Sequence, residues 1–226
     1  MSPQGRQLVL PPKAVLFDVD GTLIDTVSMI ILTMSEMYRR YIGVEIPPED
    51  IRSIIGLPLD VQVRYFEDRT DRRPDYEEMK RFQIELYEQH KHLERPVPEA
   101  LESVRVCVAK GISTALVTSK DAEELAFALP RMGLDGALHA TVTATDCVHT
   151  KPHPEPVMRA LERLGVDPGE AVFIGDTDYD IQSGHAAGCA VGAVLWGAQD
   201  EQRLVQAMPD MLFREPRDLL AWCRDL

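Results

Sequence analysis

Asp18 and Asp20 stand directly after the apolar run 14–17, in the stretch Phe17-Asp18-Val19-Asp20-Gly21-Thr22-Leu23. Two carboxylates two residues apart share one side of an extended chain. Held this close they repel, and confinement pushes at least one toward its protonated form unless a cation neutralises them. A bound divalent metal is the simplest compensation, and a solvated Asp-x-Asp-Gly turn is the plainer alternative. The carboxylates at the end of an apolar run, followed by a glycine that lets the backbone turn away, make a catalytic arrangement rather than a packing one.

Three other segments carry chemistry of matching kind. Phe173-Ile174-Gly175-Asp176-Thr177-Asp178-Tyr179-Asp180 again ends an apolar run in carboxylates, with Asp176 at the run's end and Asp180 four residues on, in reach of the same site from a helix's first turn. Such oxygen ligands suit Mg²⁺, and Asp178 is read as a cap or a solvated side chain. Val117-Thr118-Ser119-Lys120 offers a hydroxyl and backbone amides before a helix, a place for phosphoryl oxygens or merely a helix cap. Lys151-Pro152-His153-Pro154-Glu155-Pro156 holds a lysine in a proline-stiffened loop, where its ammonium can neutralise a phosphoryl oxygen and a carboxylate. The histidines are given no catalytic role, since His149 and His153 only flank Lys151 and His185 lies beyond Asp180.

These residues need a scaffold that brings distant segments to one edge. Residues 14–17, 112–118, 171–176 and 190–196 are short apolar runs ending in polar loops, the pattern of buried parallel strands. Helix-like segments alternate with them, 99–110 stopped by Gly111 and 155–164 stopped by Gly165. The expected fold class is α/β, a Rossmann-like doubly wound parallel sheet, whose ligands sit beyond the carboxyl ends of the strands. Residues 25–96 differ, being charged and helically periodic. They are read as an inserted α-helical cap domain between core segments 1–24 and 97–226, with hinge strands near 23–25 and Pro96. Its first helix is expected to start after Asp25 as N-cap and to bury Met29, Leu32, Met34 and Met37. Further helices are expected after Pro48, after the Gly56-Leu57-Pro58-Leu59 turn, and over 75–92.

Composition narrows the partners. The 226 residues carry a formal charge of −13, which repels nucleic acid and anionic membranes, so a phosphorylated substrate must be captured by local cations or a metal. Neither a signal-peptide core nor a run of about twenty apolar residues is evident, and a cytoplasmic protein, monomer or homodimer, is expected. Cys107, Cys147, Cys189 and Cys223 are too widely spaced for a Cys-x-x-Cys motif and read as packed thiols.

Taken in order, Asp18-x-Asp20-x-Thr22, Thr118, Lys151 and Gly175-Asp176 through Asp180 resemble the four motifs of the haloacid dehalogenase-like hydrolase superfamily, over nearly the whole chain. The second aspartate resembles that of its phosphatases rather than its dehalogenases. Ile55-Gly56-Leu57-Pro58-Leu59 is similar to a cap turn of phosphoglycolate phosphatase-like members, while Val97-Pro98-Glu99 departs from the Pro-Gly usual at the cap exit. The resemblance implies an aspartyl-phosphate mechanism with Asp18 as nucleophile and Asp20 as acid and then base. It also implies Mg²⁺ on the Asp18 carboxylate, the Asp20 main-chain carbonyl, Asp176 and Asp180, with Thr118 and Lys151 on the phosphoryl group. Gly56, Arg64, Ser119 and Lys120 are candidate substrate contacts. A Mg²⁺-dependent phosphatase of a small, phosphoglycolate-like metabolite is the expectation; an inorganic pyrophosphatase, a sugar phosphomutase and a non-catalytic binding protein remain open.

Overall fold

The computed structural model describes residues 11–134 and 136–226. Residues 1–10, including the N-terminal stretch read above for a leader, and Asp135 lie outside it. The wholly buried run of β1 (Ala14–Phe17) leads through a tight turn to β2 (Ile24–Asp25). An all-helical stretch follows: α1 (Val27–Tyr41), α2 (Pro48–Ile54), α3 (Leu59–Arg64) and α4 (Tyr76–His90). The chain returns along β3 (Arg95–Pro96), which pairs antiparallel with β2.

The remainder alternates: α5 (Pro98–Ala109), β4 (Ser113–Val117), α6 (Ala122–Met132), β5 (Ala140–Val142), α7 (Glu155–Leu164), β6 (Ala171–Gly175), α8 (Asp178–Ala187), β7 (Ala190–Val194), α9 (Glu201–Gln206), β8 (Met211–Phe213) and α10 (Pro216–Asp225). Six strands form one parallel sheet in the order β5-β4-β1-β6-β7-β8. Period 2 divides the side chains of β1 between its two faces. Val15 and Phe17 join a core with α5, α6 and α10, while Ala14 and Leu16 join another with α7. The fold is therefore the expected doubly wound α/β type, with two edge strands, β5 and β8, that the apolar-run pattern does not pick out.

Phe17 pairs with Leu116 of β4 on one side and Ile174 of β6 on the other, so Asp18, Thr118 and Asp176 leave adjacent strands at one edge. The chain order reverses about β1, which is where α/β sheets open a ligand crevice. Over that edge lies the helical stretch, with a core of its own that includes Met34, Met37 and Tyr38 of α1, Ile51 of α2 and Met79 of α4.

Two local expectations are corrected. Asp25 is an exposed member of β2 rather than a cap, and Thr26 takes the N-cap position of α1. Leu32 points outward, 44 % exposed, because the buried stripe runs through Met29, Thr33 and Met37.

The helical stretch meets the sheet edge at Gly56, whose φ of +103° favours glycine and where an added Cβ would lie 3.0 Å from Thr177 Cγ2 and 3.2 Å from Tyr179 Cδ2. Ser119 Oγ donates to the Gly56 carbonyl at 2.5 Å, and Arg52 Nη1 donates to the Ala198 carbonyl at 3.0 Å. Gly56→Ala is expected to lower stability by about 1–3 kcal/mol through backbone strain and this close approach; a thermal melt matching wild type would show the seam to be loose.

Candidate active site

The turn after β1 is tight: Leu23 and Ile24 both donate backbone N–H groups to the Val19 carbonyl, and Gly21 donates to Ile24. Gly21 has φ +76°, and a Cβ there would come within 2.1 Å of Asp176 Oδ2. Glycine is thus what lets the β1 turn lie against the β6 carboxylate. Asp176 is held from the other side by the Ala198 backbone N–H, 2.6 Å from Oδ2. Asp180, at the third position of α8, closes a capping box: its Oδ2 accepts from the Thr177 backbone N–H at 3.0 Å and from Thr177 Oγ1 at 2.6 Å. Thr177, not Asp178, is the cap; Asp178 is engaged by Arg203 and Gln199.

Lys151 reaches this cluster from the loop before α7, after which the Lys151–Pro152 peptide is cis. Its Nζ donates to Asp18 Oδ1 at 2.7 Å and to Asp180 Oδ1 at 2.6 Å. The loop is tied down by Glu155, which accepts the backbone N–H groups of Val148 and His149. That packing also brings exposed His149 and His153 together with Glu155, ring centroids 4.5 Å apart, a proximity their spacing did not suggest.

Carboxylate oxygens of Asp18, Asp176 and Asp180 lie within 4.8 Å of one another, and all three residues are buried. Burial pushes the Asp18 carboxyl up to about 7, with Lys151 opposing the rise and Asp180 adding to it. Asp176 is raised well above the usual range, first by burial and then by the Asp18 and Asp180 charges. Burial works against the Lys151 ammonium, but Asp18 and Asp180 outweigh it and the net effect is a raised pKa. Three buried carboxylates against one ammonium leave a deficit of positive charge among oxygen donors only, which fits a hard divalent cation.

One consequence is measurable. Below about pH 7 the Asp18 proton must leave before a cation can bind, and the raised Asp176 adds to the same dependence, so binding weakens as pH falls, by at least about tenfold per pH unit. The rise in melting temperature on adding Mg²⁺ should grow from pH 5.5 to pH 8, and a pH-independent rise would contradict this geometry.

Asp20 stands apart from the three-carboxylate cluster. Its Oδ1 accepts from Thr26 Oγ1 at 2.8 Å, and its Oδ2 pairs with Lys120 Nζ at 3.0 Å. Lys120, also buried, donates to the Tyr87 hydroxyl at 3.0 Å; Tyr87 donates on to Glu94, which pairs with Arg131. Burial opposes the Lys120 charge, yet Asp20, Tyr87 and Glu124 raise its pKa well above normal. Tyr87 and Glu94 were not singled out in the sequence. The available signal was Gln83 and Tyr87, polar side chains one helical turn apart on the inward face of α4.

A cavity between the sheet edge and the helices is lined by Asp18, Asp20, Lys151, Gly56, Ser119 and Lys120, besides apolar side chains of α1, α3 and α4. Thr118 directly follows β4 beside it, its Oγ1 accepting the Lys120 backbone N–H at 3.2 Å. Arg64 is not brought to the cavity: its guanidinium lies over the Tyr76 ring, 4.6 Å from the centroid.

The haloacid dehalogenase-like hydrolase family model matches residues 15–194. The pyrophosphatase PpaX of Bacillus pumilus is 34 % identical over 211 residues, 92 % of this chain and 95 % of that protein. Among solved structures, a hydrolase from Pseudomonas syringae superposes with TM-score 0.84 at 22 % identity, covering 96 % of this chain and 99 % of that one. One described as "a predicted phosphoglycolate phosphatase" from Haemophilus somnus gives 0.82 at 24 %, covering 93 % and 97 %. The ordered strand-end carboxylates, the lysine that bridges two of them and the match over most of the sequence place this chain in the haloacid dehalogenase-like hydrolase family.

Proposed function

We propose that this protein is a Mg²⁺-dependent phosphatase that hydrolyses a small phosphomonoester through an aspartyl-phosphate. The observation that carries the reading is Lys151, buried and bonded to both Asp18 and Asp180 at the mouth of β1. In this reading Asp18 attacks phosphorus in line, its carboxylate oriented by the Lys151 ammonium. Asp20 faces the same cavity and is tethered by Thr26 and Lys120. It gives a proton to the departing oxygen and later takes one from the water that cleaves the acyl phosphate. The Thr118 hydroxyl and Lys151 steady the phosphoryl oxygens as charge spreads over them. Mg²⁺, held by Asp18, Asp176 and Asp180 with the Asp20 main-chain carbonyl, would supply the positive charge that lets an anionic nucleophile approach a phosphate ester. Residues 25–96 act as a cap that covers the leaving group and excludes water, hinged at the β2–β3 pair.

The reading supposes a cytoplasmic enzyme that meets its metabolite alone or as a homodimer, without nucleic acid or membrane. A second reading, hydrolysis of inorganic pyrophosphate, is favoured by the name of the Bacillus pumilus relative. The test is phosphate release from a panel of phosphomonoesters and pyrophosphate, with Mg²⁺ and with chelator. Mg²⁺-dependent release is expected, whereas release that survives chelation, or no release from any member, would overturn the reading.

A further inference from the structure

The cavity's chemistry is uneven. Its floor is the charged edge of the sheet, while much of its helical wall is apolar: Ile30 of α1, Leu57 and Leu59 around the start of α3, Ile84 of α4 and Phe127 of α6, alongside Gln62, Gln83 and Glu88. Ile84 is 37 % exposed and Phe127 49 % exposed, so two large apolar side chains stand partly open at the cavity. Apolar surface left open in a concave site is where a ligand's apolar part recovers the most from leaving water.

The charges around the cavity point the same way. Six carboxylates line it against two ammonium groups, those of Lys120 and Lys151; two of the six, Glu88 and Asp121, pair with Lys91 and Lys80. Lys151 is already shared by Asp18 and Asp180, and Lys120 by Asp20 and Tyr87. No arginine is among the described residues lining it. Arg64 is stacked on Tyr76, and Arg52 reaches the Ala198 carbonyl. A second anionic group on the substrate, such as a carboxylate or another phosphate, would therefore lose its water without gaining a cation.

Resting on the phosphatase reading, we propose that the leaving group is uncharged and apolar, so that the substrate class is the phosphomonoester of an aromatic or branched alkyl alcohol. The phosphoryl group sits on the charged floor, and the alcohol's hydrocarbon fills the space among Ile30, Leu57, Ile84 and Phe127. Discrimination comes from two sources. Burying a phenyl-sized group is worth roughly 10- to 100-fold in affinity over a methyl-sized one, and the rim carboxylates repel a competitor that carries a second anionic group.

The decisive measurement is binding, because it reads the cavity whether or not turnover occurs. With Mg²⁺ present, 3-phenylpropylphosphonate, 3-phosphonopropionate and imidodiphosphate are titrated against the full chain by calorimetry. The phenyl compound is expected to bind at least about tenfold more tightly than either of the two that carry a second anionic group. Ile84→Arg, at a half-open position that can host a long side chain, is expected to narrow or reverse that ratio by giving the carboxylate a partner. Equal or tighter binding of 3-phosphonopropionate or imidodiphosphate by the wild type overturns the inference, as does a ratio unmoved in a folded Ile84→Arg protein. Turnover of 2-phenylethyl phosphate, phosphoglycolate and pyrophosphate is followed in parallel and reports on the phosphatase reading separately. Absence of release from all three, with the binding preference intact, sinks that reading and leaves the apolar preference standing.

Discussion

Replacing Asp18 by Asn is expected to remove at least ~10³-fold of turnover while raising the melting temperature of the metal-free protein. The two effects have one origin. Asp18 is buried, and burial together with the Asp180 charge lifts its carboxyl to about 7 despite Lys151. An ordinary aspartate in the unfolded chain ionises near pH 4. The folded state therefore holds this proton more tightly than the unfolded state, and stability falls as pH rises from about 4 to about 7, where the ionisation cost is complete at an order of a few kcal/mol. Asparagine has the same shape, keeps an oxygen for Lys151 and carries no charge. In chelator at pH 8 the variant should melt several degrees above wild type, at roughly 2–4 °C per kcal/mol for a chain of this size. The gap should shrink as pH falls toward 4. Retained wild-type turnover would remove Asp18 from the chemistry. An Asn variant no more stable than wild type at pH 8 would instead mean that the buried charge costs nothing.

The parts of this structure that could be read from sequence are those set by a local pattern. β1, β4, β6 and β7 are short, largely apolar runs; β1 matches its expected segment and the other three lie within theirs, shorter by one or two residues. β5 and β8 have three residues each and gain their strand character from pairing at the sheet's two edges. The start of α1 was decided at long range. Both Asp25 and Thr26 can cap a helix, but pairing of Asp25 with Arg95 draws the aspartate into a strand and leaves the position to Thr26. The threonine's hydroxyl is then spent on Asp20 rather than on the helix.

The same division runs through the candidate site. Asp18, Asp176, Asp180 and Lys151 stand out in the sequence by type and position, and the structure bonds Lys151 to Asp18 and Asp180 and sets the Asp176 carboxylate within 4.8 Å of theirs. The Lys120–Tyr87–Glu94–Arg131 chain was not legible, because it depends on how α4 lies across the sheet edge. Arg64 illustrates the converse. A basic residue near the Gly56-Leu57-Pro58 turn looks like a substrate contact until packing places Tyr76 beneath it.

Lys151→Met is expected to be the most destabilising substitution in the site. Lys151 is 2 % exposed and is the cation that Asp18 and Asp180 share, with Asp176 close by. Removing one partner of a buried ionic group leaves uncompensated charge, at a cost of about 3–5 kcal/mol, or roughly 6–20 °C in melting temperature. Arginine is not a remedy, since a planar guanidinium does not fit where one compact ammonium lies 2.7 and 2.6 Å from two carboxylates. Charge is the cause if two further changes each recover part of the loss. The first is adding Asp18→Asn, which deletes one stranded carboxylate and should make the double variant more stable than the two single effects summed. The second is Mg²⁺, whose stabilisation should be larger in Lys151→Met than in wild type because it is then the only cation among the three carboxylates. A Lys151→Met protein that melts with wild type, or one that neither change rescues, would mean that the three carboxylates do not depend on the lysine for their charge balance.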